Sequence, residues 1–202
     1  MLRQLLLSTA LVAAAGGAAA AQGWTPSGSR DGVQLYFRDD PALDAREMRA
    51  VAELPHPASR ITAVACDFTQ RLDPDVRESK VLSGDLQGSY VIYLRYAPRF
   101  MVVAARDVVI AVDRTHNGCS WSERDSLVLE HAGTVRMPLL RGSWTVEESG
   151  GARSRVVYQV TVKPGGRIPG WLVRRGASAA LPESIARLTR CLDRSSGASV
   201  RC

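Results

Sequence analysis

Residues 153–175, RSRVVYQVTVKPGGRIPGWLVRR, carry a strand, a stop and a helix start in one short stretch. Val156, Tyr158, Val160 and Val162 fall on one face, and Gln159, Thr161 and Lys163 fall on the other. That period of two marks a half-buried strand. Pro164-Gly165-Gly166 ends it, and Pro169 lacks an N–H where a first helical turn needs none. Leu181, Ile185, Leu188 and Leu192 then recur at helical spacing. The chain closes by laying a long helix against a sheet it has just completed.

Upstream, residues 33–38 and 47–54 read as strands separated by an Asp39-Asp40-Pro41 turn, with residues 23–30 as a short polar lead. Pro57 introduces a short helix with Ile61, Val64, Ala65 and Phe68 on one side. Residues 78–86, 89–96, 100–113 and 119–129 are rich in Val, Ile, Tyr and Trp, and tight turns part them. Residues 134–137 and 143–147 follow, and Gly150-Gly151 turns the chain into the closing strand. Consecutive antiparallel strands with one early and one final helix predict an α+β domain.

Several further pieces stand in a telling order: Asp31-Gly32-Val33-Gln34-Leu35-Tyr36, Cys66-Asp67, Arg106-Asp107-Val108-Val109, Val135-Arg136-Met137 and Gly142-Ser143-Trp144. Tyr158, Pro164-Gly165-Gly166 and Ile168-Pro169 complete the set. Over residues 30–192 the chain resembles the START domains, the lipid-transfer branch of the helix-grip (Bet v 1-like) proteins. The resemblance implies a helix-grip fold, a curved antiparallel sheet wrapped around the long C-terminal helix. It also implies one hydrophobic ligand, a lipid or sterol-like molecule, held in an internal cavity for transport or sensing.

Small residues support such a cavity. Residues 102–112 are small to medium on the strand side, and Gly176, Ala177, Ser178, Ala179 and Ala180 line up along the closing helix. Apolar space in a folded protein is either closed up or filled by an apolar guest. Under the resemblance, the expected wall comprises Tyr93, Arg106, Val108, Ile110, Val112, Trp144, Tyr158, Val160, Leu172, Gly176, Ala177, Ala180 and Leu181. Arg106 shares a strand face with Val108, Ile110 and Val112, where a guanidinium can hold a carboxylate, phosphate or hydroxyl head. The bland alternative pairs it with a carboxylate at the sheet rim. Tyr93 and Val112 occupy the positions of the acid–arginine pair that anchors ligand in sterol-binding members, so that pair is missing at those positions. Pro182 should kink the final helix, a shape suited to a gate. Residues 97–101 and 138–141 would form the opposite rim.

At the other end of the chain, Arg3, an apolar run over residues 5–15 and Ala19-Ala20-Ala21 read as a signal peptide over residues 1–21. Residues 22–202 then form a single domain, exported and expected in the periplasm. Cys66, Cys119, Cys191 and Cys202 have no metal-ligand spacing, so disulfides are expected in an oxidising compartment. Their three pairings stay open.

The net charge of +6 comes almost wholly from dispersed arginine. It suits transient contact with a membrane surface, and the lack of a dense basic run argues against nucleic acid. His56, His116 and His131 have no partners at metal-binding spacing, and no nucleophile elbow or phosphate loop occurs. A monomeric binding protein without cofactor, metal or catalytic residues is therefore expected. The alternative is a cyclase- or hydrolase-type enzyme using the same cavity.

Overall fold

The structure, a computed structural model, describes residues 23–70, 72–98, 103–124 and 133–194, apart from the side chains at 170–172, 174, 175, 177 and 178. The expected signal segment lies outside these residues. In chain order come β1 (Thr25–Arg30), β2 (Val33–Asp40), β3 (Ala45–Leu54), α1 (Ala58–Ala65), a 3-10 turn (Phe68–Gln70), β4 (Val76–Gly84) and β5 (Ser89–Tyr96). Then follow β6 (Ala105–Thr115), β7 (Gly118–Glu123), β8 (Thr134–Arg136), β9 (Leu139–Gly150), β10 (Arg153–Lys163) and α2 (Gly170–Arg194). The strands make one sheet in the order β1-β2-β3-β10-β9-β7-β6-β5-β4, with β8 beside β6. It is an α+β fold with a large, mainly antiparallel sheet and a long C-terminal helix.

Register puts the apolar side chains on one face. Met48, Val160, Gly142, Trp121, Val112 and Tyr90 are successive partners in one row across six strands. The next row runs Ala50, Tyr158, Trp144 and Cys119. Both helices cover this inner face through Ile61, Val64, Leu181, Ile185, Leu188 and Leu192, all buried in the same core as the strand residues. The opposite face of β2, β3 and β10 carries Arg38, Glu47, Arg49, Arg155 and Gln159, the polar half of a two-residue period.

Helix starts follow their prolines. Pro57 is extended, and its carbonyl accepts the amides of Arg60 and Ile61. Pro169 precedes α2 and accepts the Val173 amide. The far end of α2 is tied down. His56 Nε2 lies 2.9 Å from Asp193 Oδ1, and Arg60 donates to the Leu192 carbonyl at 2.7 Å. A disulfide joins Cys66, just past α1, to Cys119 of β7, with Cα atoms 5.8 Å apart. Cys191 is disulfide-bonded as well, to a partner outside the described residues.

Two elements depart from expectation. The polar lead is a strand, β1, although all six of its residues are exposed. Ladder bonds to β2 hold it, and the buried Trp24 ring before it sits 4.7 Å from the Arg38 guanidinium and 3.9 Å from that of Arg49. Second, β8 pairs with β6 in parallel, so the strands are not antiparallel throughout.

Candidate ligand-binding chamber

Between the inner face and α2 lies a chamber of about 140 Å³. Trp144, Tyr158, Val160 and Leu140 form its sheet wall, and Ala180, Leu181 and Ser184 form its helical roof. Phe68, Leu72 and Asp73, from the connection after α1, close one side together with Tyr96 of β5. Its aromatic floor follows from register. Trp144 and Tyr158 are direct cross-strand neighbours, and their rings stack 4.0 Å apart at 7°. Trp121 meets Phe68 edge-on at 5.0 Å. A Cβ on Gly142 would come within 2.5 Å of the Trp121 ring and 2.2 Å of the Gln159 carbonyl, so only glycine fits beneath that indole.

A wider mouth of about 650 Å³ adjoins the chamber, and Met48 and Val162 line both. Asp39, Asp40, Asp44, Arg46 and Lys163 ring this mouth, along with Pro138, Gly165, Gly166 and Ile168. Gly165, at φ +70°, packs so closely on β8 that a Cβ would lie 2.7 Å from the Arg136 carbonyl. The loop entering α2 is therefore seated firmly against the sheet.

Of the expected wall, Trp144, Tyr158, Val160, Ala180 and Leu181 line the chamber. Val108, Ile110 and Val112 share the inner face but sit in the packed core, so β6 is not a wall of this space. Arg106 turns inward as its strand parity requires, yet among the described residues it pairs with no carboxylate. Its guanidinium donates to the carbonyls of Pro164 at 3.2 Å, Gly165 at 3.3 Å and Ala104. Burial holds its pKa below the usual arginine value.

Tyr93 projects to the outer face, where its hydroxyl lies 3.3 Å from Asp107 Oδ2. Burial and then the Asp107 charge push this phenol up to about 12. The same fully buried Asp107 takes a two-pronged bond from Arg136, at 2.8 and 3.2 Å. A buried acid–arginine pair thus exists, but across the sheet from the chamber. Gly176 is half-buried on α2 outside the chamber wall, and the side chains of Leu172 and Ala177 lie outside the described residues. Pro138 lines the mouth, but Leu139, Leu140 and Arg141 of the expected 138–141 rim belong to strand β9, and 99–101 of the other rim lie outside the described residues.

Several wall residues escaped the sequence reading. Tyr96 shares strand parity with Tyr90, Ile92 and Leu94, which was signal enough to find it. Phe68, Leu72 and Asp73 lie in an irregular connection with no period to read. The polar groups are unevenly satisfied. Asp67 accepts the Thr69 amide and hydroxyl and the Gln70 side chain, and Ser184 donates back to the Ala180 carbonyl. Among the described residues the buried Trp121 N–H has no hydrogen-bond partner. Burial, then the Asp73 charge, raises the phenols of Tyr96 and Tyr158 above the ordinary tyrosine value.

This architecture, a wide sheet closed by a C-terminal helix over an aromatic-floored chamber, has solved counterparts. A STAR-related lipid transfer protein from Xanthomonas axonopodis superposes with a TM-score of 0.73 at 23% identity, over 85% of this chain and 99% of that one. The chain has the START fold. Human StAR-related lipid transfer protein 5 shares it, with a TM-score of 0.76 at 14% identity over 85% of this chain and 87% of its own. An uncharacterised protein of Pseudomonas aeruginosa is 28% identical over 179 residues, covering 85% of this chain and 87% of that protein. No family model matches the chain. The START fold here differs from a solid core in one respect that bears on function, the open space under α2.

Proposed function

We propose that this protein holds one hydrophobic molecule, a lipid or sterol-like compound, beneath α2 and carries or senses it without transforming it. The observation carrying this reading is the chamber itself, floored by stacked aromatics and sharing Met48 and Val162 with the wider mouth beside it. The chamber is smaller than the roughly 300–1,000 Å³ of a typical small-molecule pocket, whereas the adjoining mouth, about 650 Å³, lies within that range. Removing apolar surface from water favours such a guest by about 25 cal/mol per Å² before the costs of association. The fold of solved lipid transfer proteins supports the same reading. The Cys66–Cys119 disulfide supports an oxidising compartment, consistent with export to the periplasm, where the basic surface would make passing contact with anionic membrane.

Native mass spectrometry of the exported protein tests this. A co-purifying or added lipid should be retained at one per chain, and Ala180→Trp should abolish retention while the circular dichroism spectrum stays unchanged. Retention undiminished in the folded variant would show that the guest lies elsewhere. Steady conversion of the added lipid would replace a binding role with a catalytic one.

A further inference from the structure

Pro164, Gly165, Gly166 and Ile168 form one wall of the mouth, and the next residue, Pro169, starts α2, the roof of the chamber. This loop belongs to no strand or helix, yet two points hold it. One is Arg106, which lines neither space and is 7% exposed. Its Nε donates to the Pro164 carbonyl at 3.2 Å, its Nη2 to that of Gly165 at 3.3 Å and its Nη1 to that of Ala104, just before β6. The other is β8, on whose Arg136 carbonyl Gly165 packs, and which the Arg136–Asp107 bond pins to the residue after Arg106. Only the arginine fork presents N–H groups to three carbonyls of two segments at once; a lysine has a single nitrogen.

We propose that Arg106 is a positioning residue that fixes the loop wall of the mouth and so sets how fast a hydrophobic guest enters and leaves. It touches no guest and acts through the Pro164 and Gly165 carbonyls. A buried guanidinium must replace its lost hydration with acceptors. Swinging the loop outward strips Arg106 of two of its three, so the wall resists displacement. A guest passing beneath α2 needs that wall to yield, and the clamp opposes passage in both directions. Slackening it lowers the barrier to entry and exit alike, while the contacts that hold the guest inside the chamber are untouched. The dissociation constant therefore stays nearly constant as both rates rise. This inference rests on the binding role proposed above and adds what governs exchange of the guest.

The test compares Arg106→Gln and Arg106→Lys with a control, Arg114→Gln. Arg114 shares the inner face of β6 and likewise donates to two carbonyls, those of Leu86 at 2.7 Å and Thr62 at 3.2 Å, neither of which belongs to the mouth. Dodecanoate carrying a nitrobenzoxadiazole fluorophore is loaded, then chased with excess 1-decanol in a stopped-flow instrument. Arg106→Gln should speed loading and release about ten-fold each, the effect of one charge-assisted hydrogen bond on a barrier, with the dissociation constant within about two-fold of native. Arg106→Lys, which keeps a cation for one carbonyl, should fall between, and it decides alone if the Gln variant does not fold. Amide exchange should quicken in residues 164–173 of both Arg106 variants and stay native in β10. Arg114→Gln should lower the thermal midpoint yet leave both rates native. Equal acceleration in Arg114→Gln, native release rates or native loop exchange in a folded Arg106 variant, or affinity falling in step with release overturns this inference and leaves the binding role standing. Failure of the native protein to bind the fluorescent acid or decanol overturns both.

Discussion

Tyr158 answers to two demands at once. Its ring stacks on Trp144 through strict cross-strand register, while its hydroxyl reaches a chamber where Asp73 raises its pKa further. The consequence for alkaline stability has a definite sign. The folded-state values of Tyr96 and Tyr158 lie above the unfolded value of about 10, so the unfolded chain releases these protons first. The stabilisation is complete below about pH 10 and is lost as pH climbs through the raised values. The urea midpoint should therefore fall steeply above pH 10, and Tyr158→Phe should flatten that limb. A second prediction concerns Asp107, fully buried against Arg136. Asp107→Ala strands a guanidinium and should cost about 3–5 kcal/mol of unfolding free energy, measured by urea titration. Strand parity was legible for Arg106, Val108, Ile110 and Val112, which do share a face. The partners of Arg106 were not, because they belong to a loop 58 residues downstream. Tyr93 was placed by likeness rather than parity, and register sends it outward with Asp107.

Elements with an apolar period could be read directly. β10, α1 and α2 each bury one recurring side, and Pro57 and Pro169 mark their helix starts. β1 could not be read, since TPSGSR has no buried residue; backbone pairing and the Trp24 anchor hold it. β8 is three residues long, and its parallel register is reinforced by the bond from Arg136 to Asp107. Half of the cysteine question was also beyond reach, since pairing depends on which strand passes beside α1. The Cys66–Cys119 bond spans 53 residues, so removing it with a double Ala variant should cost about 2–4 kcal/mol. The thermal midpoint under non-reducing conditions should drop accordingly, and reductant, which also opens the Cys191 disulfide, should lower that of the native protein at least as far. At the far end of α2, Arg60→Ala removes one tie to the Leu192 carbonyl. It should speed amide exchange in the last turn of α2 while leaving exchange in β10 unchanged.

Across the whole molecule, a guest that binds only the folded chain raises stability by mass action, about 2.7 kcal/mol at one hundred times its dissociation constant. Decanol at that excess should lift the thermal midpoint of the native protein and fail to lift that of Ala180→Trp. Among the described residues the sheet is open rather than a closed barrel, with β1 and β4 at its margins. Both are irregular. β1 breaks register between Pro26 and Gly28, and β4 does so between Val76 and Glu78 and again between Val81 and Ser83. Such kinks deny a neighbouring molecule a straight template for joining strand to strand. Deleting residues 23–30 would bare β2, whose register with β3 is unbroken and which carries Leu35, Tyr36 and Phe37 in succession. The trimmed protein should cluster at concentrations where the intact one scatters no light, which makes a short, wholly exposed ribbon the guardian of solubility.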